Sequence, residues 1–182
     1  MRVIAGSAKG RRLKTTKGQN TRPTLDKVKS AIFNIIQFEL EGKIVLDLFC
    51  GSGALGLEAL SRGAGRCTFV DSDREALDMA RENAQFCGLL DQSGFINKPF
   101  DWFVKNYQGP SFDIILLDPP YKKGYISNAV SLLQSCGLIS GHAIIICESE
   151  CSETMPGQFG DIGLYREYVY GHTKVSVYKK DV

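Results

Sequence analysis

The sequence predicts an α/β fold, a mostly parallel sheet with helices on both faces, and three observations carry that prediction. Strand-like runs at residues 44–48, 66–71, 94–97, 113–117 and 143–148 alternate with helix-like stretches, the clearest at 74–87. A glycine loop at residues 51–56 follows the first strong strand and opens a helix. Residues 164–170 and 173–178, separated by Gly171-His172, read as an antiparallel hairpin that brings the expected sheet to seven strands. A length of 182 residues suits one domain, with a basic arm at 1–23 ahead of a core at 24–182.

Taken in order, residues 3–5 and 11–13 are short extended pieces joined by a turn bounded by Gly6 and Gly10. Thr24 is an N-cap candidate for a helix whose apolar positions Leu25, Val28, Ile32, Ile35, Ile36 and Leu40 recur at three- and four-residue spacing, with Gly42 ending it. In the 74–87 helix, Ala76, Leu77, Ala80, Ala84 and Phe86 form most of one apolar face. Strand, helix, strand units with right-handed crossovers place consecutive strands parallel.

At 43% hydrophobic and 23% charged residues, the composition excludes a disordered or collagen-like chain. The net charge of +2 hides an asymmetry: residues 1–30 carry nine Lys/Arg against Asp26 alone, a net +8, and the remainder sums to −6. Six cysteines, with no Cys-x-x-Cys spacing and only two histidines, point to reduced, mostly buried thiols and to no metal site. The N-terminus turns charged at once and no apolar run reaches membrane-spanning length, so a cytoplasmic protein is expected.

The glycine loop reads Asp47-Leu48-Phe49-Cys50-Gly51-Ser52-Gly53-Ala54-Leu55-Gly56, and Asp71 ends the next strand 20 residues after Gly51. Glycines let the backbone approach a ligand, the helix start offers free N–H groups, and the acid is placed to accept from both hydroxyls of an adenosine ribose. The unit suits NAD or S-adenosylmethionine. Asp47 separates them: a carboxylate ahead of the glycines repels a pyrophosphate and attracts a sulfonium or ammonium group. A cap on the following turn is its competing role.

The strand at 113–117 runs into Asp118-Pro119-Pro120-Tyr121. Two prolines fix the backbone and remove two donors, leaving carbonyl acceptors, and Asp118 adds a carboxylate. Such a loop receives a group with two N–H hydrogens, aims its nitrogen at a methyl donor and stabilises the positive charge that develops. Tyr121 is suited to stack on the planar base.

With Asp47–Gly53 and Asp118–Tyr121 quoted, the chain resembles the Rossmann-like class I S-adenosylmethionine-dependent methyltransferases that act on planar amino nitrogens. Arg2-Val3-Ile4-Ala5-Gly6, Lys9-Gly10-Arg11-Arg12-Leu13, Thr21-Arg22-Pro23-Thr24, Ala31-Ile32-Phe33-Asn34 and the run from Gly51 to Arg62 narrow the resemblance to the bacterial RsmD family, over nearly the whole chain. That resemblance implies methylation of the 2-amino group of one guanine in small-subunit (16S) ribosomal RNA. It places Asp47, Phe49, Gly51, Gly53 and Asp71 in the cofactor cleft, with Ser52 and Ser72 beside them, and the target amine at Asp118–Tyr121. The chain departs from related enzymes after the third strand, where Pro99-Phe100 precedes Asp101; the Phe100 backbone and the Asp101 side chain are the candidates to read the adenine.

Lys9, Arg11, Arg12, Lys14 and Arg22 are the expected RNA phosphate contacts of a monomeric enzyme. Rivals are methylation of DNA adenine N6 or protein glutamine N5, a nicotinamide oxidoreductase, and a catalytically silent RNA-binding assembly protein. Cysteine catalysis finds no support, because Cys50 lies in the cofactor loop and no Pro-Cys target loop is present.

Overall fold

A computed structural model describes residues 1–15, 23–120 and 124–180. In chain order it contains α1 (Pro23–Ile35), β1 (Ile44–Asp47), α2 (Ala54–Ser61), β2 (Arg66–Asp71), α3 (Arg74–Cys87), β3 (Ser93–Asn97), α4 (Phe100–Asn106), β4 (Phe112–Leu117), α5 (Tyr125–Ser135), β5 (Ile139–Glu150), β6 (Gln158–Phe159), β7 (Ile162–Tyr170) and β8 (Thr173–Lys180). The strands form one sheet in the order β3-β2-β1-β4-β5-β8-β7-β6. From β3 to β5 the pairs are parallel; β8 joins β5 antiparallel, and β7 and β6 follow antiparallel.

Alternation along the central strands sends side chains to two separate cores. On one face Val45, Phe69, Ile114 and Ile146 pack against Ile32 of α1, Leu57 of α2 and Ala80 of α3. On the other, Leu46, Val70, Ile115 and Ile145 meet Phe103 of α4 and Val130 and Leu133 of α5.

The sheet has eight strands where seven were expected. Residues Gln158 and Phe159 pair with Gly163 and Ile162 across a Gly160-Asp161 turn, and two residues are too short to show a period. Helix α1 starts at Pro23, so Thr24 lies inside its first turn and is not the cap; proline suits the first helical position, whose N–H has no partner in any case. It also stops at Ile35, well before Gly42, although Ile36 and Leu40 stay buried in the turn that follows. Helix α3 spans the expected residues, with the Asp73 side chain accepting from the Glu75 and Ala76 N–H groups and Gly88 closing it. Phe86 departs from the expected apolar face: it is 55% exposed, and the Arg11 guanidinium lies over its ring.

The N-terminal segment is a narrow hairpin with one bridge, Arg2 to Arg12, held by Val3 N–H to Arg11 O (3.0 Å) and Leu13 N–H to Met1 O (3.0 Å). It docks on α2 and α3 and buries Val3, Ala8 and Leu13. Glu58 of α2, fully buried, accepts from the Ile4 and Ala5 N–H groups at 2.8 and 3.0 Å and pairs with Lys29 and Arg62. Gly6 permits the approach: a Cβ there would lie 1.6 Å from the Ser61 carbonyl oxygen, and its φ is +81°.

Candidate active site

Strand order runs outward from β1 in one direction and from β4 in the other, so a crevice opens beyond the carboxyl ends of those two strands. It forms a cleft of about 1300 Å³ that contains the glycine loop, Asp71, Phe100, Asp118 and Glu148 in its walls.

Asp47 ends β1 with its carboxylate buried. One oxygen accepts from the Gly56 N–H at 2.9 Å, in the first turn of α2, and the other, Oδ1, has no hydrogen-bond partner. Both roles weighed for this residue therefore occupy one side chain, a cap on one oxygen and an uncommitted acceptor on the other. Burial pushes its carboxyl up to about 7; the Gly56 N–H opposes the shift, and the nearby carboxylates of Asp118 and Asp71 add to it.

Gly51 and Gly53 adopt positive φ and carry the chain from β1 into α2. Gly56 lets α2 sit directly on β2, since a Cβ there would fall 2.3 Å from the Phe69 ring. Asp71 ends β2 and braces this loop: its two oxygens accept from the N–H groups of Gly51 (2.8 Å) and Asp73 (2.9 Å). A carboxylate has further acceptor capacity, and that of Asp71 borders the cleft. Ser52 and Ser72 line the same wall.

Phe49, Phe100 and Tyr125 form an aromatic triangle, with centroids 5.5 Å apart for the first pair and 5.8 Å for the other two. Phe100 opens α4, and Asp101 lies beside it in the cleft wall. Asp118, at the end of β4, faces the open cleft, and the protein crowded around its carboxyl pushes it up to about 6. Pro119 is buried behind it and Pro120 is exposed. Tyr121 and Arg22 lie outside the described residues.

Of the expected RNA contacts, Lys9, Arg11, Arg12 and Lys14 are all exposed on the docked hairpin. Arg11 donates to the Phe86 carbonyl and stacks on its ring, and Lys14 pairs with Glu82 at 2.7 Å. Lys9 and Arg12 make no ion pair among the described residues.

Sequence reasoning missed four residues. Tyr125 completes the aromatic triangle, and the buried Lys29 and Glu148 line the cleft. Asn83 of α3 ties the hairpin to the glycine loop: its Nδ2 donates to Lys14 O (3.0 Å) and Ser52 O (2.9 Å), and its Oδ1 accepts from Lys14 N–H (2.8 Å). A single buried Asn within an amphipathic helix was the only signal available. Cys50 is buried beside Asp47 and Asp71, which raises its thiol pKa and suppresses the nucleophilic thiolate.

The enclosed, unpartnered oxygen of Asp47 tests the fit of the expected cofactor. A cationic group satisfies it, whereas a pyrophosphate would face three carboxylates across one cleft.

A parallel sheet edged by antiparallel strands, with the glycine loop after β1 and Asp-Pro-Pro after β4, defines a class I methyltransferase. Within that class the chain belongs to the RsmD family, whose family model, described as "Conserved hypothetical protein 95", matches residues 1–179. It is 38% identical over 182 residues to "Putative rRNA methyltransferase YlbH" of Bacillus subtilis, covering 99% of each chain. It is 31% identical to "Ribosomal RNA small subunit methyltransferase D" of Escherichia coli K12, covering 100% of this chain and 90% of that one. The solved structure "Putative methyltransferase yhhF from Escherichia coli" superposes with a TM-score of 0.89 at 31% identity, covering 100% of this chain and 98% of the other.

Proposed function

We propose that this protein transfers a methyl group from S-adenosylmethionine to the exocyclic N2 amine of one guanine in the 16S RNA of the small ribosomal subunit. The observation that carries the reading is Asp118: a carboxylate with no hydrogen bond among the described residues, fixed by Pro119 and Pro120, facing the cleft that also holds the uncommitted oxygen of Asp47. The names of the relatives in Bacillus subtilis and Escherichia coli supply the RNA class.

When bound, the cofactor supplies an electrophilic methyl on a sulfonium. Asp47 Oδ1 would meet its positive charge, Asp71 would accept from the ribose hydroxyls, and the start of α4, through the Phe100 backbone or Asp101, would receive the adenine. Phe49, Gly51, Ser52 and Ser72 line the cleft that would receive it, and Gly53 shapes the turn that carries them.

Asp118 and the carbonyl oxygens of its loop accept both amine hydrogens, so the nitrogen lone pair is directed at the methyl group. The amine needs no prior deprotonation. Its proton becomes acidic only as the new N–C bond places positive charge on nitrogen, and Asp118, ionised above about pH 6, is positioned to take it. The target base must leave its stack to enter the cleft. Lys9, Arg11, Arg12 and Lys14, together with Arg22, bind backbone phosphates and set its register. The enzyme acts as a monomer in the cytoplasm.

The test is transfer of labelled methyl to small subunits, assembly intermediates and free ribosomal RNA from a strain lacking the enzyme, followed by mapping of the modified nucleoside. N2-methylguanosine is the expected product; methyladenosine, or label only on protein, overturns the reading. Asp118→Ala should abolish transfer and leave cofactor binding largely intact, because Asp47, Asp71 and the start of α4 stay in place.

A further inference from the structure

Three carboxyl groups close the inner end of the cleft, and the reaction above employs only Asp47 and Asp118. The third is Glu148. In the parallel ladder of β4 and β5, Leu117 pairs with Cys147, so Asp118 and Glu148 each stand one residue beyond a paired position. Side chains at matched positions of parallel neighbours share a face, and the strands lie about 4.8 Å apart. On its other flank Glu148 pairs with Val175 of β8, which holds its backbone in the sheet.

Glu148 is only 7% exposed, yet it lines the cleft, and its side chain makes no hydrogen bond or ion pair among the described residues. A mostly buried carboxyl that no other group of the protein engages, and that borders the cleft, is left to find its partner in an incoming ligand. Burial, with the carboxyls of Asp118 and Asp47 close by, pushes it well above the ordinary carboxylate range, which favours its protonated form.

The edge of a guanine presents, in order, the 2-amine, the ring N1–H and the O6 carbonyl. With the amine on Asp118, the next groups face the adjoining strand. We infer that Glu148 is the residue that selects the base, its carboxyl receiving the N1–H and O6 edge of the guanine whose amine is held by Asp118. This rests on the guanine reading above. A carboxylic acid meets that edge with both its groups, the carbonyl oxygen accepting from N1–H and the hydroxyl donating to O6. A base with the same amine but a bare ring nitrogen and no O6 satisfies only one of them.

The test uses small subunits reconstituted with 16S RNA carrying guanine or 2-aminopurine at the methylated position, mapped beforehand with the unaltered enzyme. Unaltered enzyme should favour guanine in kcat/KM by about 10- to 100-fold, the worth of one buried hydrogen-bonded pairing. Glu148→Met, similar in volume and unable to pair, should erase the preference by slowing the guanine reaction alone, with cofactor affinity unchanged. Glu148→Gln keeps an acceptor for N1–H and a donor for O6 and should preserve the preference. A Glu148→Met enzyme that slows equally on both bases, or a Glu148→Gln enzyme that loses the preference, would overturn the assignment while leaving guanine methylation intact. If the unaltered enzyme places no methyl on guanine N2, the parent reading falls and this one with it.

Discussion

Replacing Glu58 with Ala should destabilise the protein by about 3–5 kcal/mol, the cost of breaking a buried ion pair from one side. The magnitude follows from what Glu58 holds. Its carboxylate is fully buried and accepts from two backbone N–H groups of the hairpin, from Arg62 Nε at 2.8 Å, and lies 3.3 Å from Lys29 Nζ. Each orphaned N–H adds about 1–3 kcal/mol where water cannot reach, and partial exposure of Ile4 and Ala5 trims that contribution. For a domain of this size the loss corresponds to a Tm lower by roughly 6–20 °C. Lys29 makes the loss depend on pH. Burial already holds its ammonium below its ordinary value in spite of Glu58, and without that carboxylate the folded state holds the proton more weakly still. The unfolded chain then binds more protons than the folded one, so stability of the variant should rise with pH toward the ordinary lysine range, at a steeper slope than the parent. Thermal unfolding at pH 7 and pH 9.5, with hydrogen exchange at Ile4 and Ala5, measures both effects. A loss below about 1 kcal/mol, or equal pH slopes for the two proteins, would refute the assignment of Glu58 as the anchor of the hairpin.

Cofactor affinity should fall as pH drops through about 7, because protonation of Asp47 removes its negative charge, and Asp47→Asn should flatten that profile in calorimetry between pH 5.5 and 8.5. Lys9→Ala with Arg12→Ala should lower the slope of log affinity for RNA against log salt by roughly 1.5, on the order of 0.7–0.9 per released contact; Arg11→Ala with Lys14→Ala should lower it less, since both already have partners on α3. An equal change for the two pairs counts against the distinction. Asn83→Ala leaves the Lys14 and Ser52 groups unpaired and should cost about 1–3 kcal/mol, with faster exchange at Lys14 N–H as the accompanying sign.

What the chain revealed before its structure was the part written in contiguous residues. The limits of β2 and α3 match the expected ones, because Asp73 and Gly88 bound the helix and charged Arg66 and Asp71 bound the short buried run of the strand. Asp47, Asp71 and Asp118 could be singled out because each closes or directly follows a strand with a legible pattern, and Gly51 and Gly53 because they form the turn between β1 and α2. Glu148 lies inside β5, and its meaning comes from the pairing of Leu117 with Cys147, which no local pattern encodes. Lys29 and Asn83 are polar residues of amphipathic helices, and only tertiary placement shows that they turn inward and reach the cleft and the glycine loop. Phe86 shows the opposite case: an aromatic side chain at helical spacing predicts core, whereas a guanidinium covers it on the surface.

The docked hairpin has a consequence for how RNA is chosen. Its backbone is fastened by Glu58, Ser61 and Asn83 before any ligand arrives, so the cationic surface is a mould already set. Little chain entropy is left for the protein to lose on contact, and the bending required for a fit falls to the RNA. A segment of ribosomal RNA that is pliable at one stage of subunit assembly and stiff at another would then be accepted or refused by its own deformability, with the enzyme unchanged throughout.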